Sequence, residues 1–438
     1  MNPQEIADRV VDLVAGRAEA HVNVLTGPSA LTRFANSFIH QNVAEEQLEV
    51  SLTVAVDGRV ATRSGSRIDA LEELVESALE AARLRPVDPE WPGVAPPEPI
   101  ADFGRYDPET ASAEPARRAE IVRDFVQAAP QLRAAGYCST SADRLGFANT
   151  AGHRGEVGRT VAILDGIHQT DASAGKAHRA SARIADLDGS DAGAEAARLA
   201  TGSADPADLE PGRYQVVLAP ECVATVAVFL AAYGFNARAH IEDRSFVRLG
   251  SRQFDPAFSM WDDPEGGLGF PVDVEGTPKR RVVFVDRGVS TSLAHDRRTA
   301  GLLGADSTGH AVPGGAQFGA FPTDLVVGPG DRSVEELVGS MERGLLVTEF
   351  NYCRVVEPKS LVVTGLTRNG TFLVEDGRVV GAVSNLRFTQ SFVEGLAEGA
   401  VLGVGSVCRF ADSELGPTLV RAPAMRLASW NFTGGARG

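Results

Sequence analysis

The stretch Gln47-Leu-Glu-Val-Ser-Leu-Thr-Val-Ala-Val-Asp-Gly-Arg-Val-Ala-Thr-Arg63 decides how this chain folds. Its apolar residues Leu48, Val50, Leu52, Val54 and Val56 alternate strictly, the period of a strand with one buried face. Asp57-Gly58 suits the left-handed backbone of a two-residue hairpin, so Arg59 to Arg63 is predicted to return antiparallel. Upstream, strand patterns at His21 to Thr26 and Leu31 to Gln41 complete a meander. Ahead of it, Pro3 in a first turn, Ile6, Val10, Leu13 and Val14 at helical spacing, and Gly16 behind them predict a helix. Behind it, Asp69 with Glu72 reads as a capping box for a second helix, which turns Leu71, Leu74, Val75, Ala78, Leu79 and Ala82 to a core and stops at Pro86. Helix, meander and helix make an N-terminal α+β unit over residues 1–85.

Seven of the 24 prolines lie between positions 86 and 108, a density that no helix or sheet interior accepts. Residues 86–114 therefore read as a Pro-rich linker. A helix is predicted from Pro115 to Ala129, short strands over Gly136 to Leu187 broken by glycines, and a helix from Asp191 to about Ala200; residues 115–211 complete the N-terminal half. From 212 to 438 the pattern becomes a β-rich C-terminal domain. Tyr214 to Leu218 is a strand and Pro220 to Tyr233 an apolar helix. Strands follow at Arg281 to Val285 and Leu325 to Val327, and Ser333 with Glu336 boxes a helix ending at Gly344. Beyond it come Leu345 to Phe350, Arg354 to Thr364, Thr371 to Val374, Leu386 to Thr389 and Met425 to Phe432, with turns at Asn369-Gly370 and Asp376-Gly377. The fold class is α+β, with a mostly antiparallel second half.

With 438 residues, 43% of them hydrophobic, the chain has ample core for two or three domains. Its net charge of −16 repels phosphate backbones and anionic lipid, which argues against nucleic-acid binding. Only three residues are lysine (Lys176, Lys279, Lys359), a bias read as genomic base composition. Cys138, Cys222, Cys353 and Cys408 form no C-x-x-C pair and suit buried thiols in a reducing compartment. Met1 to Val14 lacks the features of a signal peptide. The most apolar run, Cys222 to Phe235, falls short of the roughly 20 residues that span a bilayer. A cytoplasmic protein without membrane contact is expected.

Local motifs supply no active site. Gly175-Lys176 lacks both the first glycine and the hydroxyl of a phosphate-binding loop. Ser173, Ser307 and Ser406 sit beside glycines, but no G-x-S-x-G elbow is present, and turn chemistry explains them. No two of the eight histidines stand three to five apart, as a helical zinc pair requires. Asp262-Asp263 and the group Asp273, Glu275 and Asp286 would suit a hard cation or pairing with Arg280 and Arg281, with turn caps and solvated pairs the plainer reading. Cys353, in a strand-like run, reads as a small buried hydrophobe.

Longer runs resemble one family. Leu31-Thr-Arg-Phe-Ala-Asn-Ser-Phe-Ile-His40-Gln-Asn-Val43, the strand Leu48 to Val56, Gly276-Thr-Pro and Asp306-Ser-Thr-Gly-His310 resemble the TldD/PmbA family. So do Asn351 to Pro358, Thr364-Gly365-Leu-Thr367, Gly370-Thr-Phe-Leu373, Glu375-Asp-Gly377, Asn385-Leu-Arg-Phe-Thr389 and Asn431-Phe-Thr-Gly434. The resemblance covers nearly the whole chain through the order and spacing of these pieces. It implies a subunit of a two-component zinc metallopeptidase that trims unfolded or modified peptides inside the cell. Its TldD-type subunit carries H-E-x-x-x-H on the helix after the first strand of the C-terminal domain, and a later cysteine completes the metal site. Two histidines one turn apart hold zinc there, and the glutamate takes a proton from bound water.

The matching stretch here, Pro220-Glu-Cys-Val-Ala-Thr-Val-Ala-Val-Phe-Leu-Ala-Ala-Tyr233, contains no histidine. The chain thus resembles the TldE (PmbA) type, the metal-free partner: no catalytic residue is carried over, no cofactor is expected on this chain, and zinc is expected in the partner. What the resemblance implies is pairing with a TldD-type catalytic subunit around a peptide substrate, or a homodimer when that partner is missing. The same family bears the label modulator of DNA gyrase. Asp273, Glu275, Gly276, Ser307, Thr308, Gly309 and Asn351 match family motifs and are the cleft or partner contacts it suggests. Two rival readings are an independent hydrolase or amide-bond enzyme using Ser, Cys or Asp, and a scaffold holding peptides along a strand edge.

Overall fold

A computed structural model describes residues 1–415 and 419–435. Its first sheet has the order β3-β2-β1-β4-β5-β6, from β1 (Glu19–Ala35), β2 (Phe38–Val56), β3 (Arg59–Gly65), β4 (Arg133–Asn149), β5 (Arg154–Gln169) and β6 (Ala174–Ser181). The quoted stretch forms the β2–β3 hairpin, with Asp57 and Gly58 at φ 48° and 72° and Val50, Leu52 and Val54 fully buried. Helices α1 (Pro3–Val14) and α2 (Leu71–Arg83) pack on that end, burying Ile6, Val10, Val14, Val75 and Leu79. β1 pairs with both β2 and β4, so one sheet takes strands from either side of the proline-rich segment. After the single turn α3 (Pro108–Ala111), α4 (Pro115–Gln127) and α5 (Gly189–Gly202) cover the other end over Phe34, Phe125 and Leu164.

Several local expectations are corrected. The predicted strand Leu31 to Gln41 is two strands around a turn at Asn36-Ser37, whose φ values of 49° and 65° match a type I′ hairpin with serine where glycine is usual. Asp69 does not cap α2; it lies in a 3₁₀ turn and pairs with Arg67 at 2.7 Å. The pieces expected over Gly136 to Leu187 are long continuous strands, because their glycines make room rather than turns. Gly136 (φ 153°) and Gly166 face each other on β4 and β5, and a Cβ on them would strike the rings of Phe34 and Phe125.

Residues 86–107 hold no helix or strand, yet they lie along the second half as a strap. Asp88 and Glu90 pair with Arg298, the carbonyls of Pro92 and Val94 accept from Arg297, and Glu98 pairs with Arg280. Arg105 reaches the carbonyl of Gly269 at 2.5 Å and Asp324 at 3.7 Å.

The second half is two sheets around one helix. β7 (Gly212–Leu218), β12 (Arg343–Glu357), β13 (Val362–Glu375), β14 (Arg378–Ala382), β15 (Leu386–Ser391) and β19 (Met425–Gly435) form one, joined by β16 (Val401–Val404). β8 (Met260–Asp262), β9 (Val282–Asp286), β10 (Val289–Ser290), β11 (Leu325–Val327), β17 (Arg409–Ala411) and β18 (Val420–Ala422) form the other. Pairing is antiparallel except β7 with β12 and β11 with β18. Between the sheets runs α6 (Pro220–Tyr233), apolar on all sides and therefore buried on all sides, with Phe229, Phe350, Phe388, Phe392 and Trp430 stacked at its end. The box of Ser333 and Glu336 forms, but its helix stops at Gly339 and Gly344 already lies in β12. The predicted strand Arg354 to Thr364 is interrupted by a turn at residues 358–361. Asn369-Gly370 is a bulge inside β13, whereas Asp376-Gly377 makes the expected hairpin. Among the described residues no helix is long and apolar enough to cross a membrane.

Candidate functional site

The two halves leave a cleft of about 360 Å³ at the start of α6. β6 and α5 bring Lys176, His178, Glu195 and Leu199; the second half brings Val217, Glu221, Leu346, Glu349 and Arg409. α6 begins at Pro220 because proline needs no N–H partner in a first turn, and that start sets Glu221 at the cleft. Glu221 is 10% exposed, and both its carboxylate oxygens accept from Arg409 Nη2 at 2.9 Å. The other terminal nitrogen of Arg409 donates to Glu195 at 3.0 and 3.2 Å, and Glu195 also accepts from Arg179 at 2.6 Å. Burial works against these charges, but their mutual attraction outweighs it. Arg409 is held above its usual pKa and Glu195 below its own.

Beside this clamp, Lys176 Nζ lies 3.1 Å from Glu349, 3.3 Å from Asp412 and 3.4 Å from Asp165. Burial alone would favour its neutral form; the three carboxylates more than reverse that and raise its pKa. Glu349 also accepts from Asn369 Nδ2, yet burial still pushes its carboxyl up. His178 Nδ1 lies 3.0 Å from Asp165 Oδ2. Behind the helix, Cys222 Sγ faces the carbonyl of Val347 at 3.5 Å, and burial raises the thiols of Cys222 and Cys353 far above the reactive range. Among the described residues no three His, Cys, Asp or Glu side chains gather in a metal-holding group.

Ser406, set aside as turn chemistry, lines this cleft beside Lys176, but the seven residues suggested as cleft or partner contacts lie elsewhere. Asp273 is buried and ties one loop together, accepting from the backbone of Glu275, Thr277 and Ala311. Glu275 accepts from the N–H of Arg297, and the carbonyl of Gly276 (φ 83°) meets His153 Nε2 at 2.7 Å. Burial pushes both carboxyls up, and the charge of Asp273 adds to the rise at Glu275. Ser307 Oγ donates to the carbonyl of His295, Thr308 Oγ1 lies 2.7 Å from His310 Nδ1, and Gly309 turns at φ 73°. The loop 273–276 lies at the seam where the first sheet meets the second half, through Asn23 and His153, whereas Ser307, Thr308 and Gly309 pack on His295 and His310 within the second half. Asn351 stands apart on β12, accepting from Arg368.

Of the acidic residues singled out, Asp273 caps a turn and Asp286 forms a solvated pair, as the plainer reading expects, among the described residues none pairs with Arg280 or Arg281, and Asp262 enters a buried ion-pair group. Asp262 lies 3.8 Å from Lys279 and 3.3 Å from His310, and Asp324 lies 2.6 Å from Lys279, all buried beside Arg105. Asp263 pairs with Arg421, Asp286 with Arg287, and Arg281 stacks over Trp261. Ser173 Oγ donates to the carbonyl of Ala200, so like Ser307 it is spent on backbone. Of the residues that do converge, Lys176, His178 and Glu221 were weighed in the sequence only as a phosphate-loop lysine, one of eight unpaired histidines and a carboxylate without ligand neighbours, and 195, 349 and 409 went unmarked. One signal was available: two of only three lysines, Lys176 and Lys279, are hubs of buried ion-pair groups in a chain that otherwise uses arginine.

Residues 211–434 match the family model described as the PmbA/TldA metallopeptidase C-terminal domain. The chain belongs to the TldD/PmbA family. It is 26% identical over 219 residues to a metalloprotease of Methanothermobacter thermautotrophicus and 25% identical over 207 residues to one of Methanocaldococcus jannaschii. The matches take in 49% and 44% of this chain, and the chain spans about half the length of those relatives, 46% and 45%. Its fold is that of TldE from Thermococcus kodakarensis, at a TM-score of 0.85, 17% identity and 99% of both chains. A candidate modulator of a DNA gyrase from Thermotoga maritima shares it, at 0.85, 19% identity and 98% and 99% of the two chains. The α+β architecture is thus shared with both of these solved structures.

Proposed function

We propose that this chain is the TldE/PmbA-type, non-catalytic subunit of a two-component zinc metallopeptidase acting in the cytoplasm on unfolded or modified peptides. Its partner, a TldD-type subunit, would hold the zinc. The observation that carries this reading is the clamp of Arg409 on Glu221. The one carboxylate at the start of α6 is bridged across both its oxygens by a single guanidinium nitrogen, no imidazole stands on the helix, and burial holds the thiols of Cys222 and Cys353 protonated. These donors do not fit a catalytic zinc, which needs deprotonated or neutral ligands and tolerates no fixed cation in its place. The role left to the chain is to complete the peptide chamber and to stabilise the catalytic subunit.

The test is to purify the chain alone and with a TldD-type subunit, then measure zinc per chain, mass in solution and peptide cleavage. The expected result is a zinc-bearing, cleaving heterodimer only in the mixture, with the lone chain metal-free and monomeric or homodimeric. Stoichiometric zinc and cleavage in the lone chain, both lost on chelation, would overturn the proposal.

A further inference from the structure

One strand of the first sheet is left open along much of its outer side. β2 pairs with β1 throughout, but β3 covers only its residues Val50 to Val56. After Gly65, opposite Val50, the chain turns through Arg67 into α2, so β3 has no residues left to continue the ladder. At the other end the flat edge stops at Gln41: Gln41 faces Arg33 while Ile39 faces Phe34, and the extra residue His40 makes a bulge. Gln41-Asn-Val-Ala-Glu-Glu-Gln-Leu-Glu49 is thus a free edge about 30 Å long, exposed at every residue except the half-buried Val43 and Leu48. Natural edges of this length are guarded by lysine, proline or a covering element, and this one has none of them. Its only charges are Glu45, Glu46 and Glu49, and among the described residues none of the three makes a hydrogen bond or ion pair. At its inner end Arg63 lies opposite Leu52 and Arg67 pairs with Asp69; at its outer end Arg33 lies opposite Gln41. These charges select the occupant. A second copy laid antiparallel along the whole edge would set Glu45 against Glu45, and like charges directly opposite are unfavourable. A basic strand would meet Glu45 and Glu49 on one face and Glu46 on the other.

We propose that residues 41–49 bind an extended, basic peptide segment, which joins the six-stranded first sheet as a further strand beside β2, end to end with β3. Main-chain hydrogen bonds to the free edge supply affinity, and the three carboxylates supply selection against acidic segments and against a second copy of this chain. The inference rests on the peptide-handling role proposed above and deepens it by naming a substrate class: unfolded segments in which basic residues alternate with small or β-branched ones.

The probe is a fluorescein-labelled octapeptide of alternating lysine and threonine, titrated into the full chain by fluorescence anisotropy at about physiological ionic strength. The octapeptide of alternating glutamate and threonine should bind at least tenfold more weakly. The lysine peptide N-methylated at every residue keeps its charge but loses its main-chain donors, and it too should bind at least tenfold more weakly, which separates strand addition from plain attraction to an acidic protein. Glu45 and Glu49 are exposed, so the double variant Glu45→Lys, Glu49→Lys leaves the core untouched. It should weaken the lysine peptide about tenfold and improve the glutamate peptide. Hydrogen exchange over residues 41–49 should slow at least fivefold when the lysine peptide is bound. No binding, equal binding of the N-methylated peptide, unchanged binding to the double variant, or exchange that does not slow at 41–49 would each overturn the inference. A lone chain that is dimeric, with 41–49 already protected from exchange, would give the edge to a second copy and overturn it as well. The two readings fail separately. If the chain forms a cleaving zinc heterodimer but takes up no probe, the edge assignment falls and the subunit role stands. If no partner activity appears but the probe binds with the stated preferences, the edge assignment stands alone.

Discussion

Replacing Arg409 with methionine tests the charge arrangement on which the functional reading depends. The guanidinium makes four close contacts, two at 2.9 Å to Glu221 and two at 3.0 and 3.2 Å to Glu195. The loss falls unevenly on its partners. Glu195 keeps Arg179 at 2.6 Å, whereas Glu221, 10% exposed and near the acidic Glu349, loses both of its contacts to Arg409. Removing one member of a buried pair costs ~3–5 kcal/mol. The lower end applies, because Arg409 is 31% exposed and one carboxylate stays paired, so the expectation is a loss of about 3 kcal/mol at pH 7.5. Urea unfolding followed through Trp430, buried in the second-half core, measures the change. Adding Glu221→Gln to Arg409→Met removes the stranded charge and should return about 1 kcal/mol or more. An Arg409→Met variant within about 0.5 kcal/mol of the parent, or one that Glu221→Gln leaves no better, would refute the reasoning.

Lys279→Met should cost about 3 kcal/mol or more in a thermal or urea melt, since Asp262 and Asp324 are wholly buried and Lys279 is the cation nearest to both. Glu275→Gln keeps the acceptor for Arg297 but removes a carboxyl whose pKa is raised in the fold. That raised pKa stabilises least above neutrality and most near pH 4, so the variant should melt a few degrees higher than the parent at pH 8 and match it at pH 4. Thiol titration with a chromogenic disulfide should label at most Cys408 in the native chain and all four cysteines in denaturant, because Cys138, Cys222 and Cys353 are buried with raised pKa values, that of Cys138 reaching about 12.

What could be seen in the sequence was whatever local chemistry determines. Asp57-Gly58 and Asp376-Gly377 announced their hairpins because both residues must enter the left-handed region, and they do. α6 was legible at both ends, since Pro220 starts it and its apolar faces leave no alternative to burial. Asn36-Ser37 was missed because serine rarely takes φ near 65°, and the long pairing of β1 with β2 imposes it. Gly136 and Gly166 looked like strand breaks, though each makes space for a phenylalanine from a helix or strand distant in sequence. The cleft was illegible for the same reason on a larger scale. Its charged residues come from β6, α5, α6, β12 and β17, and only the packing of one half on the other tells Lys176 from a surface lysine.

The pairing of β1 with β4 across the strap has a consequence for how the molecule comes apart. The segment 86–107 is irregular backbone, the conformation a protease accepts, yet the strands on its two sides share a ladder from His21 opposite Asn149 to Phe34 opposite Gly136. A single cut there, for example between Pro97 and Glu98, divides the covalent chain without dividing the sheet. The pieces 1–97 and 98–438 are therefore halves of a split protein: they should elute together, part only in denaturant, and reassemble when mixed.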